Sequence, residues 1–98
     1  MKPVSRAVDR LLRGLGIAGE VDRVASIDRW PAVARSVLGE DAAGTRAVGV
    51  DGATLIVAVP DSAWASEIRL REAPLVAALR QVAPKSDIRH IRTVPTSR

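Results

Sequence analysis

The sequence predicts an α+β fold, a two-layer sandwich with helices on one face of a three-stranded sheet. Three observations carry this. Residues 53–59 alternate as a strand and pass through Pro60 and Asp61 directly into a helix bearing Trp64. Asp51-Gly52, just ahead of that strand, is the strongest short hairpin signal, because such a turn needs positive φ. Segments with apolar residues at helical spacing flank this unit on both sides.

The first helix is expected from a Ser5 cap, with Val8, Leu11, Leu12 and Leu15 at i, i+3, i+4, i+7 spacing and Gly14 and Gly16 ending it. A second helix is expected from near Glu20, with Val24, Ile27, Trp30, Ala34, Val37 and Leu38 as its apolar stripe. Pro31 removes one backbone hydrogen bond, so a kink or restart is expected at Trp30–Pro31, and a stop at Gly39. Residues 40–44 read as a loop and residues 45–50 as a strand with Val48 and Val50 on one face.

In the partner strand, Leu55, Val57 and Val59 share one face and Ile56 and Ala58 the other. Pro60 cannot donate to a ladder and ends it. Asp61 or Ser62 then caps a helix running to about Glu72, with Trp64 and Ile68 on one side. Pro74 suits the first position of a further helix carrying Leu75, Val76, Leu79 and Val82, which stops before Pro84. Residues 86–94 read as a third strand, although Ile88 and Ile91 cannot share a face of a regular strand. Residues 95–98 read as a frayed tail.

The 98 residues make one domain, 47% hydrophobic and 27% charged, in the range of folded soluble proteins. Phe and Tyr are absent and there are two Trp, so many small contacts must fill the core and loss of either Trp should be costly. With no Cys, disulfides and thiolate–metal sites are excluded. No apolar run reaches membrane-span length and the N-terminus lacks a signal-peptide core, so the cytoplasm is the expected compartment.

Net charge is +4, of which +3 lies in residues 60–98, with seven basic against four acidic groups. Such an excess favours a polyanionic partner. The candidate contacts are Arg69, Arg71, Arg80, Lys85, Arg89 and Arg92, weighed against a plain solvated helix face. Trp30 and Trp64 could stack on bases, but each falls on an apolar stripe and reads as core.

Residues 14–19 match G-x-G-x-x-G, but a helix-period segment precedes them where a nucleotide-binding unit needs a strand; they read as helix cap and linker. His90 is the only histidine and has no companion ligands, so it reads as a strand residue without a catalytic task. Glu40 and Asp41 read as solvated. No catalytic residue, cofactor or metal is expected, and the chain is read as a binding protein.

A family resemblance follows from these residues. Trp30-x-x-Val33, Leu38, the run from Asp51 through Val59, Ser62-Ala63-Trp64-Ala65-Ser66-Glu67-Ile68 and Leu75-x-x-x-Leu79 together resemble the DciA family, bacterial proteins associated with loading the replicative helicase. The resemblance covers about residues 21–94. Trp30, Leu55, Val57, Trp64 and Ile68 are the motif and core positions. Two departures stand out. Arg35 occupies a position where the family usually has Gly, and Asp41-Ala42-Ala43-Gly44 replaces a His-Thr pair ahead of the first strand.

The resemblance implies a KH-like domain of the type II order α-β-β-α-α-β with an extra N-terminal helix. Residues 1–18 are then helix and linker, 19–95 the KH-like domain and 96–98 a tail. It also implies a non-enzymatic, nucleoid-associated replication accessory that binds a DnaB-type helicase and contacts single-stranded DNA. KH domains that grip single strands use a Gly-x-x-Gly loop between the two middle helices. Here that junction is Arg71-Glu72-Ala73-Pro74, without Gly, so DNA contact must rest on side-chain charge and be weak and without sequence preference. The alternatives are an RNA-binding KH-like module and a protein-only adaptor.

Overall fold

The computed structural model describes residues 17–96, with side chains described from residue 24 onward. Helix α1 spans Ile17–Leu38, and a 3-10 turn follows at Glu40–Gly44. Strands β1 (Arg46–Asp51) and β2 (Thr54–Val59) form a hairpin. Helices α2 (Ser62–Leu70) and α3 (Glu72–Val82), a 3-10 turn at Pro84–Ser86 and strand β3 (His90–Pro95) complete the order. The sheet order is β1-β2-β3, with β2 central, antiparallel to β1 and parallel to β3. This is a mixed α+β domain. The expected helix at Ser5–Leu15, with its Gly14 and Gly16 stop, lies outside the described residues.

Helix α1 is described from Ile17, ahead of the expected start near Glu20, so Gly19 of the expected linker is helical. It also runs through Pro31 without the expected restart. Pro31 is exposed, while Trp30, Val33 and Ala34 beside it are buried. An interior proline costs roughly 3 kcal/mol. Burying the two large neighbours returns about 1.5–3 kcal/mol each, which outweighs that loss. Val24, expected on the apolar stripe, is instead 55% exposed; Ser26 is buried, and the apolar contacts with the core start at Ile27. The helix ends as expected at Gly39, whose φ of 97° favours a residue without Cβ.

The expected loop after α1 is a 3-10 turn, closed by Thr45 N–H donating to Ala42 O at 2.9 Å. In the hairpin, Asp51 pairs with Thr54, so the two loop residues are Gly52 and Ala53 rather than Asp51 and Gly52. Gly52 takes φ 61°, the first-position glycine of a primed turn. Strand β1 departs from simple alternation. Its register shifts between Ala47 and Gly49, and Val48 is the extra residue of a bulge. Val50 therefore packs against the core while Val48 is 50% exposed, so the two do not share a face.

Pro60 ends β2, and Asp61 caps α2 by accepting from Trp64 N–H through Oδ1 at 2.9 Å. Helix α2 stops at Leu70 rather than near Glu72, and the single residue Arg71 separates it from α3. Pro74 is thus the third residue of α3, still in the first turn where its missing N–H has no partner to lose. Leu75 and Leu79 are fully buried, but Val82 at the helix end is 47% exposed.

The expected third strand starts four residues late. Residues 84–86 form a 3-10 turn, Asp87 takes the left-handed conformation, and Ile88 is buried ahead of the strand. Ile88 and Ile91 both reach the core because only Ile91 belongs to the strand. Pro95, expected in the tail, pairs with Val59 as the last residue of β3, and Thr96 N–H donates to Val59 O at 2.9 Å.

The core lies between the helices and one face of the sheet. Trp30, Leu55, Val57, Ile68, Leu75, Leu79 and Ile88 are its largest buried apolar side chains. Trp64 packs against this cluster but is only partly buried. It is a wall of the core rather than its centre.

Candidate nucleic-acid and partner interface

A groove runs between α2 and β3. Its two adjoining depressions, about 230 and 260 Å³, share Ala65 and Thr93. Ala65, Ile68 and Ile91 supply aliphatic lining, and Arg69 and Arg92 line the same depression as Glu72. Asp61, Ser62, Val94 and Pro95 line the other. The groove exists because β3 runs parallel to β2 at the sheet edge and α2 covers the sheet beside it.

The outer edge of β3 is guarded. Ile91 N–H, which points away from β2, donates to Glu72 Oε2 at 2.8 Å. Pro95, pointing the same way, has no N–H. A carboxylate and a proline thus blunt the edge against a further strand, as the bulge at Val48 does on β1.

The six candidate basic residues do not form one cluster. Arg69 lies in the last turn of α2, and Arg92 sits in mid-β3. Arg71 Nε lies 3.5 Å from Glu67 Oε1 across one helical turn, and Arg89 Nε lies 3.3 Å from Asp87 Oδ1. Arg80, in the last turn of α3, and Lys85 are exposed. Among the described residues, Arg69, Arg80, Lys85 and Arg92 have no ion-pair partner. Such cations keep their full charge for an incoming phosphate.

His90 opens β3, 68% exposed at its side chain, with Nδ1 3.8 Å from Glu72 Oε2. Arg35, one of the two departures, lies 3.7 Å from Glu40 on the exposed surface. The other departure folds into the 3-10 turn, where Ala42 is buried and Ala42 O accepts from Thr45 Oγ1 at 2.7 Å. Among the described residues, no group of three or more His, Asp or Glu is placed to hold a metal, and no helix is long and apolar enough to cross a membrane.

Sequence reasoning put helices on one face of the sheet and Ile56 and Ala58 on the other. It did not find which residues of β1 and β3 share that second face, which the described elements leave open. Leu55, Val57 and Val59 point into the core, so their neighbours on β2 point away from it. The register then aligns Arg46 with Ala58 and Val94, and Gly49 and its bulge partner Val48 with Ile56 and Arg92. Arg46 belongs to this face and was not among the six. The signal was present in the hairpin, but using it required the register and the position of the bulge.

Fold and groove together define a small α+β domain built round a sheet with one covered face. The chain belongs to the DciA family: the family model described as "Dna[CI] antecedent, DciA" matches residues 3–93. The match starts ahead of Val21, so it also takes in the residues before the first described helix. The family is associated with loading of the DnaB-type replicative helicase. No curated protein matches the chain.

Proposed function

We propose that this protein is a non-catalytic accessory of DNA replication with a KH-like domain. It binds the DnaB-type helicase, assists its loading in the cytoplasm near the nucleoid, and contacts single-stranded DNA weakly and without sequence preference. The observation that carries this reading is the family match over residues 3–93 on a chain whose helix-strand-strand-helix-helix-strand order has β3 parallel to the central β2.

The DNA half rests on charge. Arg69, Arg80, Lys85 and Arg92 are free to meet phosphates, while Arg71 and Arg89 first exchange a carboxylate for a phosphate. A single-residue junction at Arg71 leaves no room for a glycine loop whose backbone could cradle phosphates. No aromatic side chain lines the groove to stack on bases, and Glu72 lines it with negative charge. Weak, salt-sensitive and unselective contact is what such a surface can provide.

The test is a titration of labelled oligothymidylate by fluorescence anisotropy over a salt series. Four phosphate contacts predict a log–log slope of about −3. Undetectable or salt-independent binding removes the DNA half and leaves a protein-only adaptor. That second reading is favoured by the two ion-paired arginines and by Glu72 in the groove. Recovery of ribosomal material in place of helicase subunits on co-purification would favour RNA binding.

A further inference from the structure

We infer that the open face of the sheet is the docking surface for an amphipathic helix of the helicase that carries acidic residues on both flanks of its apolar stripe. This rests on the helicase reading above and names the surface and the partner chemistry.

Two rows of side chains define the face. One is Arg46, Ala58 and Val94, and the other is Val48, Ile56 and Arg92. Valine and isoleucine thus form a diagonal ridge across all three strands, with an arginine at each of the two remaining corners. Val48 is 50% exposed, both arginines are exposed, and Ile56 and Val94 are partly exposed. Neither arginine has an ion-pair partner among the described residues.

The spacing of the arginines, the chemistry of the ridge, its self-repulsion and the blunted sheet edges together fix the occupant. The arginines stand two strands apart and two residues offset, so their Cα atoms are about 12 Å apart. That separation matches the roughly 10–12 Å diameter of an α-helix, so one helix laid on the ridge meets a cation on each side. Nucleic acid fits the ridge itself poorly, since it is aliphatic and offers bases no aromatic platform; Arg92 also borders the α2–β3 groove, and its part in DNA contact belongs to that side. A second copy of the same face would set arginine against arginine or valine, with no acid supplied by either row. Strand addition at the sheet edges is a poor alternative, because the Val48 bulge, Glu72 and Pro95 blunt both.

The test measures binding of the full chain to the host's DnaB-type helicase for the wild type, Arg46→Glu, Val48→Asp and Arg29→Glu, each first checked by thermal melting. Arg46→Glu and Val48→Asp replace exposed residues outside the core and should each weaken binding by about tenfold or more. Arg29→Glu, on the exposed surface of α1 and away from the open sheet face, should bind like the wild type. A photo-crosslinking amino acid at position 48 should capture an acidic helical segment of the helicase. Normal helicase binding by both sheet variants overturns the inference and leaves the helicase reading standing. Crosslinks to residues 1–16, to a second copy or to bound DNA also overturn it. A wild-type chain that binds no helicase removes the reading and the inference together.

Discussion

The indole Nε1 of Trp30 donates to Thr45 Oγ1 at 3.1 Å, with both residues buried. The Thr45 hydroxyl in turn donates to Ala42 O at 2.7 Å. A short relay of hydrogen bonds thus ties mid-α1 to the turn that launches β1. It satisfies the one polar atom of the largest core side chain.

Trp30→Ala should therefore cost about 3–5 kcal/mol, and Trp30→Phe less, since the ring volume is largely kept while the relay is lost. Trp64→Ala should fall below Trp30→Ala, because Trp64 is only partly buried. Urea denaturation of the three variants checks this ranking. Equal losses at Trp30 and Trp64 would contradict it.

Asp61→Ala should cost about 1 kcal/mol, and Asp61→Asn only a fraction of that, because Asn can still accept from Trp64 N–H. The readout is the unfolding midpoint, with the two variants compared at constant m-value.

Glu72→Gln keeps an acceptor for Ile91 N–H, whereas Glu72→Ala leaves that amide bare on the sheet edge. Amide hydrogen exchange at Ile91 should accelerate in Glu72→Ala and stay near wild type in Glu72→Gln. Glu72→Gln also removes a negative charge from the α2–β3 groove, so it should bind oligothymidylate more tightly than the wild type at low salt.

Pro31→Ala should stabilise the protein. A restored N–H can donate to Ile27 O, and the helix gains roughly 3 kcal/mol of propensity, less about 1 kcal/mol for the freer unfolded chain. Thermal melting reads the sign directly. A lowered midpoint would mean that the helix is shaped around the proline.

Much of this fold was legible in the sequence because its signals are local. Alternation in residues 54–59, the Asp61 cap and the Gly39 stop each depend on neighbours within a few positions. Pro31 misled because burial of Trp30 and Val33, supplied by distant residues, overrides a local penalty. The bulge at Val48 has no sequence mark, and it reverses which valine of β1 faces the core. Ile88 puzzled as a strand residue because the left-handed turn at Asp87 delays the strand. The charges were legible as a count. Their separation into ion-paired, groove and open-face residues was not, since it depends on register and on how α2 meets β3.

The central claim is that this chain acts on the replicative helicase without chemistry of its own. The most direct measurement is the amount of DnaB-type helicase retained on single-stranded DNA circles, with and without the protein. The account predicts a several-fold rise in retained helicase with no nucleotide hydrolysis by the protein alone. Unchanged retention at saturating protein would contradict it.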